Sequence, residues 1–147
     1  MVEEESISML SRDIRLTTPR LVLRPTEPGD AARMAQIQSN WNVTRMLRLA
    51  PWPATEAAMA DCAHLHGKEW AAGTAYRVAV LRDGVMIGTA DIDDIDGTSG
   101  EIGYWVRSAS TRDGVATEAT ARVARVGFEE VDMHRLTLRI AVGNRGR

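Results

Sequence analysis

Ser108-Ala-Ser-Thr-Arg-Asp-Gly-Val-Ala-Thr-Glu118 reads as the junction between the end of a strand and the start of a helix. Before it, Glu101–Val106 has the short apolar run of a strand. After it, Ala119, Val123 and Val126 share one face of a helix over Thr117–Glu130. Gly114 can take a positive φ without steric cost. The first N–H groups of a helix have no internal partners, and with the positive end of the helix dipole they form an anion site. Arg112 can add a charge-assisted contact to a phosphate. Residues 112–117 therefore read as a cradle for a phosphate or pyrophosphate. An ordinary strand–helix loop containing one glycine has the same spacing.

Outward from this loop, Leu136, Leu138, Ile140 and Val142 alternate with Thr137, Arg139 and Ala141, the period of a strand. It follows a helix, so it is expected to run parallel to the Glu101–Val106 strand. Upstream, Val85–Ile92 and Ala75–Leu81 read as strands joined by Arg82-Asp-Gly84, in which Asp-Gly suits the positive φ of a tight hairpin turn. Asp93–Gly100 reads as a second turn region. A helix capped by Thr55 runs to about Trp70, and another runs from Ala31 to about Ser39. Between them, residues 40–54 form a loop or broken helix carrying Trp41 and Trp52. Arg20–Arg24 is the first strand, stopped by Pro25. The order is β-α-α-β-β-β-α-β: an α+β fold with a mixed, mostly antiparallel central sheet flanked by helices.

The 147 residues make one domain. Residues 1–13 are acidic and aperiodic and are expected to be a flexible N-terminal tail, with a single domain over 14–147. Eighteen basic against twenty acidic residues give a net charge of −2, which argues against a general nucleic-acid binder. One cysteine, Cys62, excludes an internal disulfide and a cysteine zinc cluster. No run of ~18 apolar residues spans a membrane. The acidic N-terminus does not resemble a signal peptide, so a cytoplasmic location is expected. His64 and His66 are two apart and would face different ways on a helix, a poor metal pair. No metal is expected.

The flanks of the Ser108–Glu118 loop carry a resemblance. Thr18-Pro-Arg-Leu-Val-Leu-Arg-Pro25, Met86-Ile-Gly-Thr89, Gly100-Glu-Ile-Gly-Tyr-Trp-Val106, Ala116-Thr-Glu-Ala119, Phe128-Glu-Glu130, His134-Arg-Leu136 and Asn144 stand in order from Thr18 to Asn144. None is specific alone. Together they resemble the GNAT superfamily of N-acetyltransferases, in its ribosomal-protein (RimJ/RimL) branch. The resemblance implies acetyl-CoA as co-substrate and direct attack by a primary amine, either a protein N-terminus or a small molecule. It implies that acetyl-CoA lies where the last two strands splay apart. Pantetheine amides would meet the backbone of Trp105, Val106 and Arg107, and the pyrophosphate would meet Arg112, Asp113, Gly114, Val115, Ala116 and Thr117. Asn144 is assigned to the cofactor side by the same resemblance.

Direct transfer needs a base for the ammonium. Glu101 is the candidate catalytic base, directly or through water, because it matches the acidic residue before Ile-Gly-Tyr in the family pattern. By alternation it shares a face with Gly103 and Trp105. A surface carboxylate at a strand end is the other reading. Trp41, Arg45 and Trp52 fall where the family builds one wall of the acceptor site, and core packing of the tryptophans is equally compatible. Asp91, Asp93, Asp94 and Asp96 make an acidic patch that either attracts a cationic acceptor or forms a solvated turn.

The sequence departs from the family pattern in three ways. Ser110 and Thr111 stand where an aromatic residue and a glycine are usual, and Asp113 puts a carboxylate beside the expected pyrophosphate. Arg147 stands where a serine follows Asn144 in the family, and the C-terminal helix and last strands of the fold are expected to be missing. The strand from Leu136 would then be an exposed edge, expected to pair with a second copy in a homodimer. These departures motivate a rival expectation, a non-catalytic acyl-CoA-binding remnant.

Overall fold

The computed structural model describes residues 9–44, 51–107 and 113–138. Six strands form one sheet in sequence order: β1 (Leu16–Thr17), β2 (Val22–Pro25), β3 (Tyr76–Arg82), β4 (Val85–Asp96), β5 (Ser99–Val106) and β6 (Arg135–Leu138). Neighbours are antiparallel through β5, and β6 runs parallel to β5, with Ser99 opposite Arg135 and Ile102 opposite Leu138. The helices are α1 (Ala31–Gln38), the single turn α2 (Trp41–Thr44), α3 (Glu56–Ala72) and α4 (Val115–Glu130). The order expected from sequence holds, with β1 and α2 added.

Local chemistry sets the boundaries. The Thr55 hydroxyl accepts the Ala58 N–H at 3.1 Å, which caps α3, and Gly73 ends that helix at φ 74°. Asp83 and Gly84 both take positive φ, 54° and 79°, as the β3–β4 hairpin requires. The second hairpin corrects the sequence reading. Asp93–Asp96 continue β4 instead of turning, and the chain reverses at Gly97, φ 63°. Asp91 and Asp93 share a polar face that carries an arginine, described below, and the pairing with β5 is irregular between Asp93 and Asp96, where Asp94 takes φ 52°.

Residues of alternating parity on the strands feed two layers. On one face, α4 packs through Val115, Ala119, Val123 and Val126 over Val80, Ile87, Ile92 and Ile102. On the other, α1 and α3 place Met34 and Met59 against Ala79 and Met86. Fully buried aliphatic side chains such as Leu23, Val80 and Ile87 are each worth ~1.5–3 kcal/mol. Glycine is obligatory at position 88. A Cβ there would sit 2.0 Å from the Trp105 carbonyl oxygen, so the close approach of β4 and β5 depends on its absence.

The expected loose tail is corrected at its inner end. Leu10 is buried, and its carbonyl accepts the Trp70 indole N–H at 2.8 Å. The Met9 N–H donates to the Tyr76 hydroxyl, and the Arg12 guanidinium lies 5.2 Å from the Trp70 ring centroid. The amphipathic spacing of Leu10, Ile14 and Leu16 is too short to read as an element. These residues pack because Trp70, near the end of α3, offers them its indole N–H and ring face. Residues 1–8 lie outside the described residues.

Candidate active site

The N-terminus of α4 is held by a cluster that joins three distant segments. Gly114 takes φ 83° and begins the helix. Glu118, in the first turn, accepts the Thr18 hydroxyl and the Arg20 backbone N–H, and pairs with the Arg20 guanidinium at 2.7 Å. The Thr18 hydroxyl, then Arg20, hold its carboxyl below the usual carboxylate range. Arg20 also donates to the Asp113 carbonyl at 2.9 Å. The Thr18–Arg20 motif therefore positions the start of α4. The Asp113 side chain faces the helix end: one oxygen accepts the Val115 N–H at 3.3 Å, and the other pairs with Arg82 at 2.9 Å. A carboxylate thus stands where the sequence places a pyrophosphate, and two arginines flank it. Arg20 and Arg82 were not found by sequence reasoning. The signal was Arg82 fixed beside the Asp83-Gly84 turn.

Across the sheet, between β4, β5, α1 and α3, lies a cleft of about 620 Å³. Register sets its floor: Thr89 lies opposite Trp105, Asp91 opposite Gly103 and Asp93 opposite Glu101. Arg77 of β3 reaches into it. Its guanidinium meets Glu69 of α3 twice, at 2.8 and 3.3 Å, and Asp91 at 3.1 Å, with Asp93 at 3.5 Å. Burial opposes the charge of Arg77, but the hydrogen bond to Glu69 and the fields of Asp91, Glu69 and Asp93 outweigh it, and its pKa rises. It is charged at any accessible pH. His66 of α3 also lines the cleft, its Nδ1 2.8 Å from the Thr26 hydroxyl oxygen. Burial, then the charge of Arg77, lowers its pKa to about 4, so the imidazole is neutral at pH 7. Burial pushes the Cys62 thiol up, away from the reactive thiolate. His66, Glu69 and Arg77 were missed as site residues. The visible signal was one arginine inside the apolar run Tyr76–Leu81.

The residues singled out by sequence divide as follows. Glu101 is half-buried on β5 and does not itself line the cleft; its carboxylate lies with those of Asp93 and Asp94, all within 4.8 Å of one another, and these two do line it. Trp105 faces the cleft, whereas Val106 packs into the α4 core. The Arg107 N–H donates to the Ile87 carbonyl at 2.8 Å. In an antiparallel ladder residues alternate in which side their backbone groups face. Arg107 and Trp105 therefore pair toward β4, while Val106 and Tyr104 present N–H and C=O on the outer side. Among the described residues, β6 covers that side only as far as Ile102. Trp41 and Trp52 are 53% and 50% exposed and meet in a tilted pair, 4.8 Å between centroids, so they are not core residues. Arg45, Arg112 and Asn144 lie outside the described residues.

Comparison with known proteins agrees with this geometry. The chain is 27% identical over 133 residues to YdaF of Bacillus subtilis (strain 168), named as a candidate ribosomal N-acetyltransferase; the match covers 84% of this chain and 70% of that protein. Mycobacterium smegmatis RimJ, solved in complex with CoA-disulfide, superposes with a TM-score of 0.80 at 24% identity, covering 90% of this chain and 69% of that one. The ribosomal-protein-S5-alanine acetyltransferase of Vibrio fischeri gives 0.79 at 15% identity, covering 91% and 78%. These two likenesses establish the fold. Residues 20–147 match the family model described as the acetyltransferase (GNAT) domain. That match places this chain in the GNAT family, whose members transfer an acetyl group from acetyl-CoA to an amine.

Proposed function

We propose that acetyl-CoA lies along the outer edge of β5 and that the acceptor amine enters the cleft on the α1 and α3 side of the sheet. The joint placement of three features around the C-terminal half of β5 carries this reading: the outward backbone groups of Tyr104 and Val106, the N-terminus of α4, and the cleft floor at Gly103 and Trp105. In this reading Val106 and Tyr104 meet the pantetheine amides, and the N–H groups of Val115, Ala116 and Thr117 meet the pyrophosphate. Trp105 walls the thioester from the acceptor side, and Arg107 anchors the strand end to β4. Arg112 and Asn144 complete the set on the sequence resemblance alone.

Bound acetyl-CoA supplies an acetyl thioester. The chain's task is to deliver an unprotonated amine to it. Glu101 accepts the ammonium proton through a water at the Asp93–Asp94 rim. The amine nitrogen then bonds to the carbonyl carbon, the carbon–sulfur bond breaks, and CoA leaves as its thiol. The favoured acceptor is a peptide α-amino group, supported by the names of the relatives; a small primary amine is the alternative. A ribosomal acceptor would place the enzyme in the cytoplasm. Two copies would pair through β6, which ends the sheet order among the described residues and leaves Leu138 half-exposed. The test is release of CoA thiol with a panel of amines. Glu101→Gln should lower turnover ~100-fold or more while acetyl-CoA affinity changes less than twofold. Loss of that affinity would make Glu101 a structural residue.

A further inference from the structure

We propose that His66 is a specificity-determining residue of the acceptor cleft: its Nε2–H donates a hydrogen bond to a backbone carbonyl three or four residues into a peptide acceptor. The proposal rests on the cleft being the acceptor site. Thr26 is fully buried, and its hydroxyl oxygen lies 2.8 Å from Nδ1 of His66. Among the described residues that hydroxyl has no other acceptor. A buried O–H left without an acceptor bears its full desolvation cost, so Thr26 donates to Nδ1 and the ring hydrogen sits on Nε2. Nε2 has no hydrogen-bond partner among the described residues, and it is not sealed in the core, because the ring lines the cleft. Burial, then the charge of Arg77, keeps the ring neutral at pH 7. His66 therefore offers the cleft a donor without a positive charge.

Register places this donor. The Thr26 N–H donates to the Arg77 carbonyl at 3.2 Å, Arg77 lies opposite Asp91, and Asp91 lies opposite Gly103. These four residues form one row across the sheet, clear of the irregularities at Val80–Leu81 and Asp93–Asp96. At ~4.8 Å per strand the row is ~14 Å long. The proposed reacting amine lies at its Gly103 end, and His66 stands at its Thr26 end. A monoamine of a few atoms stops short of His66. An extended peptide advances ~3.3 Å per residue and brings the carbonyl of its third or fourth residue there. Charge fixes what that group is. An ammonium has no lone pair for an N–H donor. A carboxylate would find Arg77, the guanidinium among the lining residues, already spent on Glu69, Asp91 and Asp93. A neutral carbonyl oxygen meets neither objection.

The test measures kcat and KM of the full chain with acetyl-CoA, for butylamine and for alanine peptide amides of two to five residues. Between the dipeptide and the pentapeptide, kcat/KM should rise about fivefold or more, through KM. In His66→Phe, shown to be folded by its thermal transition, that ratio should fall below about twofold. Pentapeptides with a trans-alkene in place of one amide remove a carbonyl without touching the protein. Loss of the carbonyl of residue three or four should cost about fivefold in the parent chain and less than about twofold in His66→Phe. A length ratio that survives in folded His66→Phe, or an alkene cost equal in both chains, would overturn the proposal and leave the cleft reading intact. If His66→Phe does not fold, the alkene series in the parent chain decides, and a cost below about twofold at both positions overturns the proposal. CoA release with none of these amines, butylamine included, would overturn the cleft reading and the proposal with it.

Discussion

Arg82 holds the Asp113 carboxylate at 2.9 Å, at the mouth of α4. The same carboxylate accepts the Val115 N–H, so the helix end that should receive a pyrophosphate already has an internal anion on it. Both partners are about one-third exposed, and pairs of this kind are worth only ~0.2–1 kcal/mol. An incoming phosphate can displace the carboxylate and inherit Arg82.

The consequence for binding is measurable by titration. Asp113→Asn keeps the turn and removes the charge, so acetyl-CoA should bind roughly three- to tenfold more tightly, most clearly at low salt. Arg82→Met should weaken binding by a similar factor. Weaker binding by Asp113→Asn would show that the carboxylate is needed to shape the loop and does not compete for it.

Gly88 is the tightest point between β4 and β5. Gly88→Ala forces backbone apart, because the obstacle is the Trp105 carbonyl and the Val106 Cα, not a flexible side chain. Overpacking costs ~1–3 kcal/mol, and this site belongs at the upper end. Thermal unfolding should show Tm lowered by at least ~5 °C. An unchanged Tm would mean that the strands do not approach this closely.

His66 makes stability depend on pH. Its pKa falls from an ordinary 6.5 to about 4 in the folded chain, so between these values the unfolded state binds a proton that the folded state refuses. The contribution is fully present above pH 6.5, is lost as pH falls toward 4, and amounts to ~3 kcal/mol. Denaturant unfolding from pH 7 to pH 5 should therefore show falling stability in the parent chain and a flatter profile in His66→Gln. Parallel profiles would place the imidazole in solvent.

Trp70 ties the segment before β1 to α3. Trp70→Phe keeps the ring but leaves the Leu10 carbonyl without its indole donor. A lost partner of this kind costs ~1–3 kcal/mol. The effect should appear first as faster amide exchange at residues 9–16. Exchange confined to other regions would contradict the packing of this segment.

The sequence was most legible where chemistry is local. The Thr55 cap and the Asp83-Gly84 turn depend on neighbours in the chain, and each stands where it was read; the strand read from Leu136 is present over Arg135–Leu138, while Ile140 and Val142 lie outside the described residues. Asp93–Asp96 were misread because three aspartates before a glycine look like a turn; the Arg77 contact to Asp93, from the neighbouring β3, is not visible in the sequence. Leu10 was missed for the same reason, since its partner is 60 residues away. At the site, Gly114 and the helix start were readable from spacing. The clamp Thr18–Arg20–Glu118 and the Glu69–Arg77–Asp91 ladder were not, because their members come from separate elements and meet only in the fold.

Whether the end of α4 and the edge of β5 hold acetyl-CoA is decided by calorimetric titration of the 147-residue chain with acetyl-CoA at modest salt. One saturable site of micromolar affinity is expected, weakening as salt rises and weakening further in Arg82→Met. No heat of binding, from a chain shown to be folded by its thermal transition, would contradict it.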